Sequence, residues 1–358
     1  MRGSEFSQTN LFSYITPENR VPEDHPLRPM KAMVNQILAT LSPDFQTLYS
    51  KIGRPSIPPE YLLRATVLQI IYSIRSERQL MEQLQFNILY RWFVGLDMDA
   101  PIWNHSVFSK NRDRLLESAV ARSFLNQVIN LAREKKLLSS EHFSVDGTLI
   151  EAWASHKSFR PKGSGDEPPD DRGNRTVDFH GEKRKNDTHE STTDPESRLF
   201  KKGKGKEAKL CFMGHALMEN RHGLVVDACV TQATGTAERE SALGMLKFQE
   251  SQKRKTCGAD KGYDTSDFVR QARSIRVTPH VAQVEHRLSG IDGRTTGHPG
   301  YDLSIKARKR IEEIFGWLKT IGGFRRIKYR GLRLVSWFWE FSIGVYNLVR
   351  IRNILKTA

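Results

Sequence analysis

The sequence predicts an α+β protein, helical in its first third and mixed thereafter, and three observations predict it. Apolar residues from Pro59 to Lys136 recur at helical spacing with no strand-like run among them. Phe143, Val145 and Leu149 then alternate with Ser144, Asp146 and Thr148, the period of two that marks a half-buried strand. Beyond Lys209, short strand-like runs and amphipathic stretches take turns as far as Ile321, and an apolar run from Val335 to Leu355 reads as a packing helix. The predicted division is an N-terminal arm and helical domain over 1–140, a mixed domain over 141–335 and a C-terminal helix over 336–358.

In order, the first 55 residues carry Pro17, Pro22, Pro26 and Pro29 around a short helical segment, Met30 to Leu41, and read as an extended arm. Tyr61, Leu62, Ala65, Leu68, Ile71 and Tyr72 line one helix, and Ser76 caps a second whose buried face is Leu80, Leu84, Ile88 and Leu89. After a break from Gly95 to Pro101, a third helix starts at Asn104 or Ser106 and runs to Leu115. A basic helix following an apolar one is the outline of a helix-turn-helix, in which His105, Ser109, Lys110, Arg112 and Arg114 would face DNA. The same residues also suit a solvated basic face, and the break is longer than the motif's usual turn. A fourth helix, Ala119 to Lys136, closes the region.

The stretch from Ala152 to Ala208 is nearly free of apolar residues and is expected to be a flexible polar insertion, ordering on DNA or serving as a solvated linker. Lys209 to Glu219 and Leu224 to Gln232 read as a hairpin turning at Asn220 to Gly223. A helix from Ala237 to Glu250 leads to a short strand ending at Asp260. A helix from Asp264 to Arg273, a strand from Ile275 to Val281 and a helix from Ser304 to Ile321 complete the alternation.

Charge narrows the partner. The net charge is +15, and Ser304 to Ala358 holds 13 Lys and Arg against Glu312, Glu313 and Glu340, which favours a polyanion such as nucleic acid. Cys211, Cys229 and Cys257 lie far apart without a Cys-x-x-Cys, which speaks against a zinc site or disulfide framework and for buried thiols. No run of about 18 apolar residues suggests a membrane span, so a cytoplasmic protein is expected.

A carboxylate midway along a strand is costly unless it is paired, hydrogen-bonded or on a metal; Asp146 could also form a turn with Gly147. Two later acids favour the metal. Asp260 ends a strand, and on the last mixed-region helix Arg308, Glu312 and Lys319 fall within roughly 40° of one another beside Ile311, Phe315 and Leu318, while Glu313 points away. Asp146, Asp260 and Glu312 offer hard oxygen donors suited to Mg²⁺, and a pair of such ions serves in-line attack on a phosphodiester. Arg308 and Lys319 would meet phosphates. Asp227, Asp264, Asp267 and Asp302 are rival ligands.

These motifs resemble a bacterial insertion-sequence transposase of the DDE class, nearest the insertion sequence five type. Asp146-Gly-Thr148 matches that group's first motif and Asp260-Lys-Gly-Tyr-Asp264 its second. Arg308, Glu312 and Lys319 satisfy the last-helix signature of Tyr, two residues, Arg, three residues, Glu, six residues, Lys, with Ile305 where the tyrosine belongs. Ile70 to Leu80 and Tyr90 to Leu96 resemble the helical domain preceding the core. The resemblance implies a DNA-binding helical domain, a ribonuclease-H-like core, and Asp146, Asp260 and Glu312 as catalytic metal ligands for two Mg²⁺ ions, with Mn²⁺ as substitute. It implies cleavage at the 3′ ends of the element's inverted repeats, strand transfer into target DNA, action as a homodimer on double-stranded DNA, and a bacterial, nucleoid-associated setting. Lys110, Arg112, Arg325, Arg326 and Lys328 join Arg308 and Lys319 as expected DNA contacts, the last three in Gly322 to Gly331, where aromatics and bases interleave. A decayed copy that grips DNA without cutting, and a nuclease that cuts without joining, share these features.

Overall fold

The structure is a computed structural model that describes residues 16–49, 56–163, 184–201, 203, 205–249, 253–284 and 288–357. Its first third is helical: α1 (Pro17–Arg20), α2 (Leu27–Leu48), α3 (Pro59–Ile71), α4 (Glu77–Phe86), α5 (Ile88–Val94), α6 (His105–Leu116) and α7 (Val120–Glu134). The expected arm is instead a core helix. Met30, Val34, Ile37, Leu38, Leu41 and Phe45 of α2 form a buried stripe, and the helix packs on α7. Pro26 and Pro29 sit at its start, where a proline's missing N–H has no helical partner to lose. The expected second helix is split at Asn87, whose side chain accepts from the Leu89 and Tyr90 amides at 3.0 and 3.4 Å and starts α5.

The strands are β1 (His142–Glu151), β2 (Phe159–Pro161), β3 (His189–Ser191), β4 (Arg198–Phe200), β5 (Lys209–Glu219), β6 (Val225–Gln232), β7 (Lys255–Ala259) and β8 (Val277–Val281). Across the main sheet the order is β6, β5, β1, β7, β8, with β4 sharing the outer edge of β5. β5 runs antiparallel to both β1 and β6, whereas β1, β7 and β8 are parallel. Parallel neighbours need crossovers, supplied by α8 (Ala237–Lys247) and α9 (Ser266–Ser274). The chain ends in α10 (Gly293–Thr296), α11 (Pro299–Arg308), α12 (Ile311–Thr320) and α13 (Leu332–Thr357).

β1 lies at the centre and is covered on both faces, where its alternation suggested one. Val145 and Leu217 pack with Leu243 and Leu246 of α8 and Phe268 of α9. Ile150, Phe212 and Ala216 belong to a second core that runs through α12 and α13 into the N-terminal helices. Its cover comes from segments remote in sequence, which a local pattern does not register.

Two further expectations are corrected. The polar insertion is ordered at both described ends: β2 pairs with β3, β4 extends the main sheet, and Phe159, Ser191, Asp194 and Ser197 are buried. Polar contacts make this order, such as Ser158 Oγ to Ser191 Oγ at 2.8 Å and the Asn186 side chain bonded to the backbone of Leu199. Its middle, 164–183, lies outside the described residues. The helix expected from Ser304 to Ile321 is two helices. At Lys309 and Arg310 the amides of Lys309, Arg310, Glu312 and Glu313 bond three residues back rather than four. Lys306, Arg308, Lys309 and Arg310 crowd like charges there, and Arg310 reaches out to the carbonyl oxygens of Asn220 and Arg221 at 3.2 and 3.4 Å.

Candidate active site

The site forms where the parallel strands end. β1 pairs with β7 through His142–Thr256, Phe143–Cys257 and Ser144–Gly258. By the same offset Asp260, still extended at φ −76° and ψ 175°, comes level with Asp146 one strand away. Asp260 Oδ1 accepts from the Gly262 amide at 2.7 Å, fixing the tight turn that follows β7. Asp146 Oδ1 accepts from the Gly147 amide at 2.8 Å. Both carboxylates are half-buried.

Tyr263 ties the two together. Its hydroxyl is buried without a hydrogen-bond partner, and burial first, then the charges of Glu238, Asp146 and Asp260, push its pKa far up. Sequence reasoning passed over Glu238. It lies in the first turn of α8, and a Cβ placed on Gly147 would meet its Oε1 at 2.8 Å and His215 Nδ1 at 3.2 Å. Gly147 therefore leaves room for a carboxylate beside β1. His215 is wholly buried, gives or takes a bond at Nε2 with Thr231 Oγ1 at 2.8 Å, and has its Nδ1 without a partner; burial pushes its pKa down to about 4, so it is neutral. The available signal for Glu238 was positional: β6 runs parallel to β1, so the helix leaving β6 starts at the same rim of the sheet.

On the opposite face α11 and α12 run along β1. A Cβ on Gly258 would lie 3.1 Å from the Ser304 carbonyl oxygen and 3.5 Å from Arg308 Cβ, so glycine lets α11 approach the sheet. Farther along, Phe315 stacks with Trp339 at 6.2 Å, and Trp339 lies against Gly214, the partner of Thr148. Glu312, between these two levels, is exposed. Among the described residues no three His, Cys, Asp or Glu side chains cluster as a metal site, so Asp146, Asp260 and Glu312 are not gathered as one ligand set. The break at Lys309 and Arg310 also resets the phase between Arg308 and Glu312, which a continuous helix would have held on one face.

Three of the four rival acids are engaged elsewhere. Asp264 is buried and accepts from the Val284 and Gly290 amides and the Ser289 hydroxyl, stapling a loop. Asp227 shares Arg122 with Glu340, and Asp267 pairs with Arg270.

Arg308 is half-buried, with its Nε lacking a partner. Lys319 and Arg325 line two clefts of about 750 and about 680 Å³ beyond the end of β1. Arg326 lies over the exposed Trp153 ring at 5.0 Å. Lys110 is exposed on α6. Two expected DNA contacts have partners within the fold. Arg112 is buried, ion-paired with Glu77 and set over the Tyr329 and Phe338 rings at 5.7 and 5.9 Å. Lys328 bonds the same Glu77 at 3.0 Å. Burial opposes the charge on Glu77, but Lys328 and Arg112 hold its pKa down at about 2. These two cations join α6 and the basic loop to α4 and are used within the fold.

Residues 139–348 match the family model described as transposase DDE domain, and residues 15–114 match a second, described as a transposase domain. The first match covers more than half of the chain, which therefore belongs to the DDE transposase family. The protein is thus a DNA transposase. No curated protein matches it. Solved structures with some likeness include a piggyBac transposase synaptic complex with hairpin DNA, 10% identical at a TM-score of 0.45, covering 93% of this chain and 76% of that one. A Mos1 transposase paired-end complex with left transposon end is 10% identical at 0.21, covering 92% of each chain. The Mos1 mariner paired end complex with Mn is 11% identical at 0.20, covering 93% of this chain and 87% of that one. Scores this low carry no weight for the fold or the chemistry. Among the described residues no helix is long and apolar enough to cross a membrane.

Proposed function

We propose that this transposase is of the insertion sequence five type, from a bacterium, and acts in the cytoplasm at the nucleoid on the inverted-repeat ends of its own element. It cleaves their 3′ ends and joins them to target DNA. The reading divides the chain into a DNA-binding helical part, a ribonuclease-H-like catalytic part and a closing helix, at about residues 140 and 335. The strand order β6, β5, β1, β7, β8, in which β5 alone runs against the other four, supports that core. The observation that carries the chemistry is the register that sets Asp260 level with Asp146 at the rim where Tyr263 feels both charges.

Two neighbouring carboxylates are hard oxygen donors, and the donor set fits Mg²⁺ or Mn²⁺. Asp146, Asp260 and Glu312 would hold two such ions, with Glu312 moving in when DNA is bound. When bound, the ions supply charge neutralisation for attack on a phosphodiester. Arg308 and Lys319 position phosphates, Lys319 and Arg325 guide the strand along the two clefts, and Lys110 contacts the element end. A homodimer pairs two ends.

The test is a nicking assay on a repeat-bearing duplex with Mg²⁺. Asp146→Asn should abolish nicking while keeping end binding; cleavage at the wild-type rate would overturn the assignment. Joined products with a target plasmid separate a transposase from a nuclease that only cuts.

A further inference from the structure

A cavity of about 260 Å³ opens at the end of β7 and β8 away from the carboxylates. Four arginines line it from four segments: Arg254 before β7, Arg273 in the last turn of α9, Arg276 before β8 and Arg294 in α10. Thr278 and Thr295 complete its polar wall, and among the described residues the lining holds no carboxylate. Arg294 is neutralised by Asp292 just outside, through contacts of 2.6 to 3.1 Å. Arg273 donates to Thr295 Oγ1 at 3.3 Å, which aims its guanidinium along the wall. All four arginines are exposed to solvent. The negative end of the α9 dipole accounts for Arg273 and Arg276, but Arg254 arrives from another strand. Guanidiniums converging on one cavity from separate segments suit an anion set among them.

We propose that this cavity is a seat for backbone phosphates of duplex DNA, separate from the cleavage site. Six rises of about 3.3 Å put Arg254 roughly 20 Å from Asp260, a little more than half a turn of duplex. A duplex cut at the carboxylate rim and lying along the β8 edge of the sheet thus presents a second group of phosphates here. Planar guanidiniums with hydroxyls beside them suit phosphodiester oxygens, which they grip through paired N–H donors. The seat anchors flanking duplex and carries no base preference.

Arg276 supplies a clean test, because its φ of +61° is a left-handed conformation that glycine prefers. Arg276→Gly should keep or raise Tm. Binding of the full chain to a generic duplex of about two turns is then measured by anisotropy across a salt series. The slope of log Kd against log salt should fall by about one for Arg276→Gly and about two for Arg254→Ala/Arg273→Ala. Wild-type slopes in both variants would overturn the seat. Inorganic phosphate raising the Tm of the wild type but not of Arg276→Gly, with DNA slopes unchanged, would make it a free-anion site and overturn the DNA assignment. The inference rests on the DNA-handling reading; metal-dependent nicking that persists with unchanged slopes would leave that reading standing while this one falls.

Discussion

Arg112 and Glu77 are ion-paired inside the protein, with the guanidinium also lying over the rings of Tyr329 and Phe338. A residue that reads in sequence as a DNA contact on α6 instead locks α6 to α4 and to the loop before α13. Arg112→Ala should destabilise the fold by about 2–4 kcal/mol, because it removes a buried guanidinium's ion pair and its packing over two rings, leaving the half-buried Glu77 to Lys328 alone. Lys110→Ala should leave stability within about 0.5 kcal/mol and weaken DNA binding. Urea melts and a binding titration of both variants check this; equal stability of the two would refute it.

Glu77 also sets an acid limit. Its folded pKa of about 2 lies below the ordinary 4.5, so its contribution is present above pH 4.5 and is lost as pH falls from there through 2. That contribution is at most about 3 kcal/mol. Stability of Glu77→Gln should be lower at neutral pH and should fall less steeply below pH 4.5 than that of the wild type.

Gly147 is the point where a methyl group would strike Glu238 and His215. Gly147→Ala should cut metal-dependent nicking at least about tenfold by displacing Glu238, with a loss of about 1–3 kcal/mol in stability. Unchanged nicking would show that Glu238 takes no part.

Asp260 and Asp264 are four residues apart in one motif, and the proposed function gives them opposite tasks. Asp264→Ala should cost about 2–4 kcal/mol, since three donors lose their acceptor in a buried loop. Asp260→Asn should leave the melting temperature nearly unchanged and abolish nicking. Thermal melts beside the nicking assay distinguish them, and a large loss of stability in Asp260→Asn would count against a catalytic role.

Local signals in the sequence carried much of this far. The hairpin from Lys209 to Gln232 is legible because Gly223, at φ +72°, and the buried Glu219, accepting from the Arg221 and His222 amides, build the turn locally. Asp146 and Asp260 stand out because each sits on a strand pattern with a glycine nearby. What escaped depends on distant partners. Arg112 finds Glu77 and Tyr329, α2 finds α7 and α13, and Glu238 finds Gly147 only after the sheet is assembled. At the break near Arg310, the carbonyl oxygens that hold its side chain belong to Asn220 and Arg221, some ninety residues away.

The closing helix touches α2, α3, α7, α12 and β6, and its Asn347 bonds both backbone groups of Val225. The two ends of the polypeptide are therefore mutually dependent. A fragment beginning at residue 141 would bare Phe341, which packs on Phe124, to water, and grafting the front helices of a related enzyme onto this one would require transplanting Leu332–Thr357 with them.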